Sequence, residues 1–325
     1  VSESLVPAPL AVLLAAVCFG TTGTALVFAP DDASPASVGA IRIVIGGAIL
    51  AALLLGGRGG REVPPRIEGT RAATVALVVV GAVAIAAYQP LFFLGTSASG
   101  VAVGTIVALG SAPVLTGALE WLVRRRFPGT VWLVATAIAS VGVILLSGSG
   151  SGPARADTIG LLGSLGAGAS YAVYALVAKA LIDRGERPSW TMGVLFGVAA
   201  IVTAPVLVGS DLSWLSDATG VAVALWLGVV TTAVAYRLFG SGLERLSAST
   251  AATLTLAEPA TATLLGVLLL GESLTGAAVL GVSALVVAIV VLVIPWRRAS
   301  ASRGGSGAEG AGSRTRPPGW DEEES

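Results

Sequence analysis

The sequence predicts an all-α membrane protein with ten transmembrane helices in two inverted five-helix repeats, and three observations carry that expectation. Hydrophobic residues make up 54% of the 325-residue chain and charged residues only 12%, with a mean hydropathy of +0.88. Soluble domains carry about 25% charged residues, so this much apolar sequence exceeds what one water-soluble core buries. The apolar residues also fall into ten stretches of the length that spans a bilayer, about 20 helical residues, with every backbone hydrogen bond closed internally. Finally, the basic residues between the stretches fall on alternate loops, as a fixed orientation in the membrane requires.

The spans are expected at 8–28, 36–56, 72–94, 100–122, 129–147, 159–181, 190–209, 219–239, 247–270 and 274–294. No Lys or Arg precedes the first stretch, which exceeds the ~7 to 15 apolar residues of a signal peptide. It is therefore read as a retained helix. With the N-terminus inside, the inner loops hold Arg58, Arg61, Arg66 and Arg71, then Arg124, Arg125 and Arg126, then Lys179, Arg184 and Arg187, then Arg237 and Arg245. The outer loops hold Arg155 alone, beside Asp31, Asp32, Asp211 and Asp217. Basic loops are retained on the cytoplasmic side, which places both termini in the cytoplasm of a multi-pass cell-membrane protein.

The formal net charge of zero averages a basic inner face with a mildly acidic outer one and implies no nucleic-acid partner. Residues 299–325, rich in Gly, Ser, Arg and Glu without apolar periodicity, are expected to form a disordered cytoplasmic tail.

Absent residue types limit the chemistry. The chain has no histidine and one cysteine, Cys18, so Ser-His and Cys-His catalysis, His-ligated zinc or haem, and thiol metal clusters are excluded. Cys18 itself reads as a small core filler. Lys179 stands between Ala178 and Ala180, whereas a phosphate-cradling loop needs glycine before its lysine. No cofactor, metal or catalytic group is expected.

The two halves align with each other. Gly100 to Leu146 superposes on Leu246 to Leu292, matching Ala102 with Ala248, Pro113 with Pro259, Leu119 with Leu265, Leu122 with Leu268 and Val141 with Val287. Five crossings per half is an odd number, so the second half enters the membrane from the opposite side. In that register Arg126 falls opposite Glu272, basic at an inner loop against acidic at an outer one. Inverted repeats let two halves exchange conformations around a midplane site, the architecture of many secondary transporters.

These features resemble the drug/metabolite transporter superfamily, specifically its ten-helix EamA-type members, over residues 8–294. The resemblance rests on Cys18-Phe19-Gly20, the stretch from Pro35 to Arg42, Gly110-Ser111-Ala112-Pro113, and Ala257-Glu258-Pro259 followed by Leu270-Gly271-Glu272. The family usually has Glu where Arg126 stands, so the first copy of the closing motif departs while the copy at Glu272 is intact. The resemblance implies one repeat over 8–147, a second over 159–294, and helices one, three, six and eight facing a central pathway. Phe19, Tyr88, Tyr171, Tyr174 and Trp226 are then candidates to line it and to stack on a substrate.

Ionisable groups inside the bilayer cost roughly 2.5 to 3.5 kcal/mol at a helix centre unless paired or hydrated. Glu258, halfway along the ninth span, is the one midplane acid. Low-dielectric surroundings favour its neutral form, which suits a proton carrier or a contact for a substrate cation; the alternative is a structural Glu beside a proline kink. Arg42 could bind an anion, and the structural role of holding backbone carbonyls and Asp31 or Asp32 is favoured. Glu120 and Arg124 have the spacing of an i,i+4 ion pair, and Arg237 can snorkel to headgroups. Both are read as interfacial anchors. Pro113 and Pro259 withdraw a donor from the carbonyls of Leu109 and Thr255 and read as paired hinges, cavity walls or simple kinks. Trp121, Trp190 and Trp296 are expected at the interfacial belt. Glycine pairs at Gly100/Gly104 and Gly193/Gly197, with Gly160, Gly163, Gly166 and Gly168, are read as intrachain helix contacts rather than a dimer face.

The functional expectation is a secondary active transporter, read as an exporter, of a small organic metabolite or drug-like solute, working by alternating access in the lipid bilayer. Protons are its candidate coupling ion. The alternative class is a membrane-embedded enzyme or a non-transporting receptor or scaffold, which would show clustered catalytic groups at one face or helices packed solid between the repeats.

Overall fold

The structure is a computed structural model that describes residues 6–56, 70–125, 127–147 and 157–294. Arg58, Arg61, Arg66, Arg126, Arg155, Trp296 and the 299–325 tail lie outside the described residues.

Among the described residues, nine helices are long and apolar enough to cross a membrane, and a shorter apolar helix, Thr130–Leu146, makes a tenth. We label them α1 (Ala8–Val27), α2 (Pro35–Gly56), α3 (Arg71–Ser99), α4 (Val101–Arg124), α5 (Thr130–Ser147), α6 (Thr158–Asp183), α7 (Pro188–Val208), α8 (Ala218–Leu243), α9 (Ala248–Leu270) and α10 (Gly276–Val293). The first residues show why the helices begin where they do. Pro occupies the first turn of α1 and α7, where its missing N–H is no loss. Thr70, Asp157, Ser247 and Thr275 cap α3, α6, α9 and α10 by accepting a backbone N–H of the first turn, each satisfying one orphan donor.

Three features depart from a row of plain helices. Helix α3 runs through Pro90 to Ser99, past the expected end at 94, and Gly100, at φ +86°, turns directly into α4. Helix α8 contains a π-helical stretch, Trp226–Val234, which hydropathy does not register because it leaves composition unchanged. Helix α9 is interrupted after Leu254 and resumes at Ala257. The expectation that Pro259 leaves the Thr255 carbonyl free is corrected: that carbonyl accepts the Glu258 N–H at 2.9 Å, a tighter i+3 turn absorbing the missing donor.

The packing has a two-fold logic. Helix α3 lies on α6, and α8 lies correspondingly on α1; α4 lies on α6 as α9 lies on α1; α3 meets α7 as α8 meets α2. Helices α2 and α7 pair with each other across the repeats, as do α5 and α10. Small residues set the closest crossings. A Cβ on Gly47 would stand 2.3 Å from the Phe196 carbonyl oxygen, one on Gly193 2.5 Å from Leu54, and one on Gly163 2.8 Å from the Gly95 nitrogen. Each close approach joins the two halves of the chain.

Hydrogen bonds place the loops. Ser213 donates to Asp32 at 2.8 Å and Trp214 to Ser37 at 3.1 Å, putting the α1–α2 and α7–α8 connections at one end. Arg124 donates to Asp183 and Lys179 to the Leu243 carbonyl at 2.8 Å, gathering the last turns of α4, α6 and α8 at the other.

Candidate functional site

A cavity lies between the repeats and narrows inward. Its wider part, about 340 Å³, is lined by Leu26 of α1, Val38 and Gly39 of α2, Gln89 and Phe92 of α3, and Val101 and Thr105 of α4, and reaches Glu258, Pro259 and Ala262 of α9. A further pocket of about 80 Å³ continues from it among Ile43, Ile85, Ala112, Tyr171, Tyr174, Tyr236, Ala252 and Thr255. Phe19, Arg42, Tyr88, Gln89, Leu109 and Glu258 line both parts, so the two are one space. Leu26, Val38 and Val101 stand where α1 ends and α2 and α4 begin. The mouth therefore faces the end that carries Asp31 and Asp32.

Aromatic rings build the floor. All four tyrosines of the chain line the narrow pocket. Phe19 packs on Tyr236 with centroids 5.0 Å apart, Tyr171 meets Tyr174 edge-on at 5.1 Å, and Phe196 lies 4.1 Å from Tyr236. Tyr88 stacks on Phe92, one helical turn away. Such contacts fix ring orientation beyond simple burial. The Tyr171 hydroxyl meets the Thr255 hydroxyl at 3.1 Å, joining α6 to the interruption in α9, whereas the buried Tyr174 hydroxyl makes no well-formed hydrogen bond among the described residues.

Two ionisable side chains of opposite type, Arg42 and Glu258, line this space. Glu258 lies in the first turn of the resumed α9. Arg42 reaches across from α2, and its Nη2 donates to the Thr231 carbonyl at 3.4 Å, within the π-helical stretch of α8. Its Nε is buried without a partner. Among the described residues no ion pair joins Arg42 to Glu258, and the Glu258 carboxylate carries no side-chain hydrogen bond. The favoured reading of Arg42 is half corrected: it does hold a backbone carbonyl, but among the described residues no ion pair joins it to Asp31 or Asp32, and it lines the cavity. Arg42 and Glu258 are thus the polar groups of opposite type in a cavity otherwise walled largely by aromatic and aliphatic side chains.

Family comparison decides what kind of protein carries this cavity. The model of the EamA-like transporter family matches residues 6–148 and again residues 158–294. The chain belongs to the EamA-like transporter family. YwfM of Bacillus subtilis, named an uncharacterized transporter, is 43% identical over 256 residues, covering 79% of this chain and 83% of that protein. The threonine/homoserine exporter RhtA of Escherichia coli K12 is 30% identical over 264 residues, 80% of this chain and 82% of its own. Its counterpart in Salmonella typhimurium LT2 is 31% identical over 266 residues, 80% and 82% of the two chains. A solved crystal structure superposes with a TM-score of 0.73 at 19% identity, covering 88% of this chain and 96% of its own, which speaks for the fold.

Of the residues singled out for this EamA-like chain, the structure brings Phe19, Tyr88, Tyr171, Tyr174 and Glu258 to one cavity and sets Pro259 in its wall. Pro113 is buried in α4 beside the lining residue Ala112. Trp226 stands apart. It is 45% exposed, donates to the Thr21 hydroxyl at 2.9 Å, and lines a separate apolar groove with Phe28 and Leu269. Hydropathy places it inside the eighth span, but only the helix rotation decides which way it points. Sequence reasoning missed Tyr236 and Gln89. Tyr236 was signalled by the scarcity of its type, since a chain with four tyrosines uses all of them here; Gln89 was hidden beside Pro90, where it reads as part of a kink. Among the described residues no three His, Cys, Asp or Glu side chains gather as a metal site would require.

Proposed function

We propose that this EamA-family transporter is a secondary active exporter of a small zwitterionic amino-acid metabolite, moved by alternating access across the cytoplasmic membrane. The carrying observation is that Arg42 and Glu258, a base and an acid, line one inter-repeat cavity with no ion pair between them among the described residues. A carboxylate group of the substrate faces Arg42 and its ammonium faces Glu258, while its side chain lies against the aromatic floor. The relatives named as threonine/homoserine exporters support the class and the outward direction. A scaffold would be packed solid between the repeats, and the open space counts against it.

The basic ends of α3, α4, α6 and α8 lie in the cytoplasm under the positive-inside rule, with both chain termini on the same side, so the mouth described above faces outward. The moving bodies are the two segments 8–147 and 159–294, with Pro113 and the α9 interruption before Pro259 as flexing points. Protons are the coupling ion and Glu258 carries them: protonated, it releases the ammonium group; ionised, it binds it.

The test is flux in proteoliposomes loaded with threonine, homoserine, a sugar or a cationic dye, with and without an imposed pH gradient, for wild type and Glu258→Gln. Saturable amino-acid flux that a pH gradient accelerates, and that Glu258→Gln abolishes, is expected. Gradient-driven flux retained by Glu258→Gln would sink the proton assignment, and saturable flux of the dye or sugar alone would sink the substrate class.

A further inference from the structure

At the end of the molecule away from the cavity mouth, two charged side chains are buried that the substrate cavity does not use. Glu120 is 5% exposed and Lys179 7%, a state these residue types adopt when paired. Glu120 Oε2 accepts the Ser249 N–H at 3.0 Å. Ser249 lies in the first turn of α9, so an acid of the first repeat satisfies a helix N-terminal donor of the second, where negative charge is favoured. Arg124, one turn after Glu120, lies 3.8 Å from it and donates to Asp183 at the end of α6. Asp183 is also held by Lys179 at 3.0 Å. The Lys179 ammonium donates to the carbonyls of Leu243 at 2.8 Å and Glu244 at 3.4 Å, at the end of α8.

Sorting these contacts by repeat shows their design. Glu120 and Arg124 form one ion pair within the first repeat; Lys179 and Asp183 form another within the second. One bond joins the pairs, Arg124 to Asp183, and Glu120 also crosses to the Ser249 N–H of α9, where Trp132 donates to the Ser249 carbonyl and Thr136 meets Thr253. When the crossing bonds part, each carboxylate keeps its own cation, and no charge is stranded in a low-dielectric interior, where an unpaired ion is strongly unfavourable. The surroundings match a closed end. Helix α4 packs on the first segment of α9, Ala248–Leu254, whereas toward the mouth Val101 and Thr105 of α4 and Pro259 and Ala262 of α9 line open space. The two helices converge at the clustered charges and diverge away from them.

We propose that the Glu120–Arg124 and Lys179–Asp183 pairs form a releasable clasp that closes the substrate pathway at the Arg124 end and sets the balance between the two open states. The inference rests on the alternating-access reading above. Arg124 and Asp183 hold the pathway shut across the repeats, and Lys179 positions Asp183 by tying it to α8.

The test reads opening without needing a substrate. In a Cys18→Ser background, Ala112→Cys places a lone thiol in the narrow pocket, and a membrane-impermeant thiol reagent is applied to right-side-out and inside-out vesicles. With the clasp intact, labelling comes from the mouth side. Arg124→Gln removes one partly exposed crossing pair, so labelling from the Arg124 side rises about threefold, the change that such a pair supports. Asp183→Asn gives the same direction. In a second measurement, Arg124→Cys/Asp183→Cys in the Cys18→Ser background is bridged by a short cleavable bifunctional thiol reagent; labelled-amino-acid flux stops when bridged and returns on cleavage. Unchanged sidedness in correctly folded Arg124→Gln and Asp183→Asn, or full flux through the bridged protein, overturns the clasp. A shift in sidedness with no carried solute leaves the clasp standing and removes the transport reading instead.

Discussion

Helices α4 and α9 occupy equivalent places in the two repeats and carry a proline at the same register, yet only one of them breaks. Helix α4 passes through Pro113 as one run from Val101 to Arg124. Helix α9 stops at Leu254 and resumes at Ala257. A proline alone therefore does not decide continuity. Side-chain bonds back to the backbone do not separate the two, since Ser111 and Thr116 donate to the Ala108 and Ala112 carbonyls in α4 and Thr261 and Thr263 to the Ala257 and Pro259 carbonyls in α9. In α9, the Thr255 hydroxyl donates back to the Ala252 carbonyl and also meets Tyr171 of α6, which fixes the tightened turn from outside. The residue before each proline differs too: Ala112 in the first repeat, Glu258 in the second. The repeats share a scaffold, while the acid of the cavity belongs to one copy alone.

The largest expected effect tests that inequality. Glu258→Gln removes the ionisable group that the proposal assigns to the substrate ammonium, and losing a desolvated charged contact to the substrate costs about 2 kcal/mol or more, at least ~30-fold in transport efficiency. Ala112→Gln at the equivalent position narrows the pocket but leaves both ionisable groups, so uptake assays in proteoliposomes place its loss well below that of Glu258→Gln. Comparable losses from the two substitutions would erase the functional difference between the repeats.

Packing between the repeats gives the next effect. A methyl group on Gly47 meets the Phe196 backbone rather than a movable side chain, so Gly47→Ala forces α2 and α7 apart and lowers stability by about 1–3 kcal/mol, read as a lower midpoint in a detergent melt. Gly110 in α4 has open space around it; there Gly110→Ala raises the midpoint, since alanine favours the helix by up to ~1 kcal/mol.

Smaller still is the hydroxyl at the α9 interruption. Tyr171→Phe deletes the contact with Thr255 and costs about 0.5–1.5 kcal/mol, with increased hydrogen exchange at Leu254 to Ala257. Tyr174→Phe removes a buried hydroxyl that makes no well-formed hydrogen bond among the described residues and leaves the melting midpoint level or higher. Equal responses from the two tyrosines would show that the hydroxyl contact does not hold the break.

Much of this was legible from the chain. The expected spans and the observed helices agree to within a few residues at most ends, because bilayer thickness and internal hydrogen bonding constrain length so tightly. The exceptions are instructive. Helix α3 outruns its expected end by five residues, its last turns continuing through Gly95-Thr96-Ser97-Ala98-Ser99 until Gly100 turns the chain at φ +86°, and the π-helical stretch of α8 rests on which carbonyl each N–H selects, a choice that composition does not record. In the site, Glu258 was legible because a midplane acid is costly and so must have a reason. Arg42 was legible as a residue but not as a partner: its distance from Glu258 in sequence hides their common cavity. Trp226 and Tyr236 differ by ten positions on one helix, yet the first lines an outer groove and the second the pocket, a difference of helix face that hydropathy does not resolve.

By itself, then, the sequence determined the class, the number of apolar crossings, the inverted relation of the halves and the small set of groups able to do polar work in a membrane. It did so because hydrocarbon imposes simple rules on length, charge and backbone satisfaction. The tertiary structure alone decided which of those groups meet. The packing of α2, α4, α6 and α9 brings Arg42 and Glu258 to one cavity, and the docking of α4 on α6 lays the Glu120–Arg124 pair against Lys179–Asp183, because side-chain encounters between distant helices depend on packing angles that no local pattern encodes.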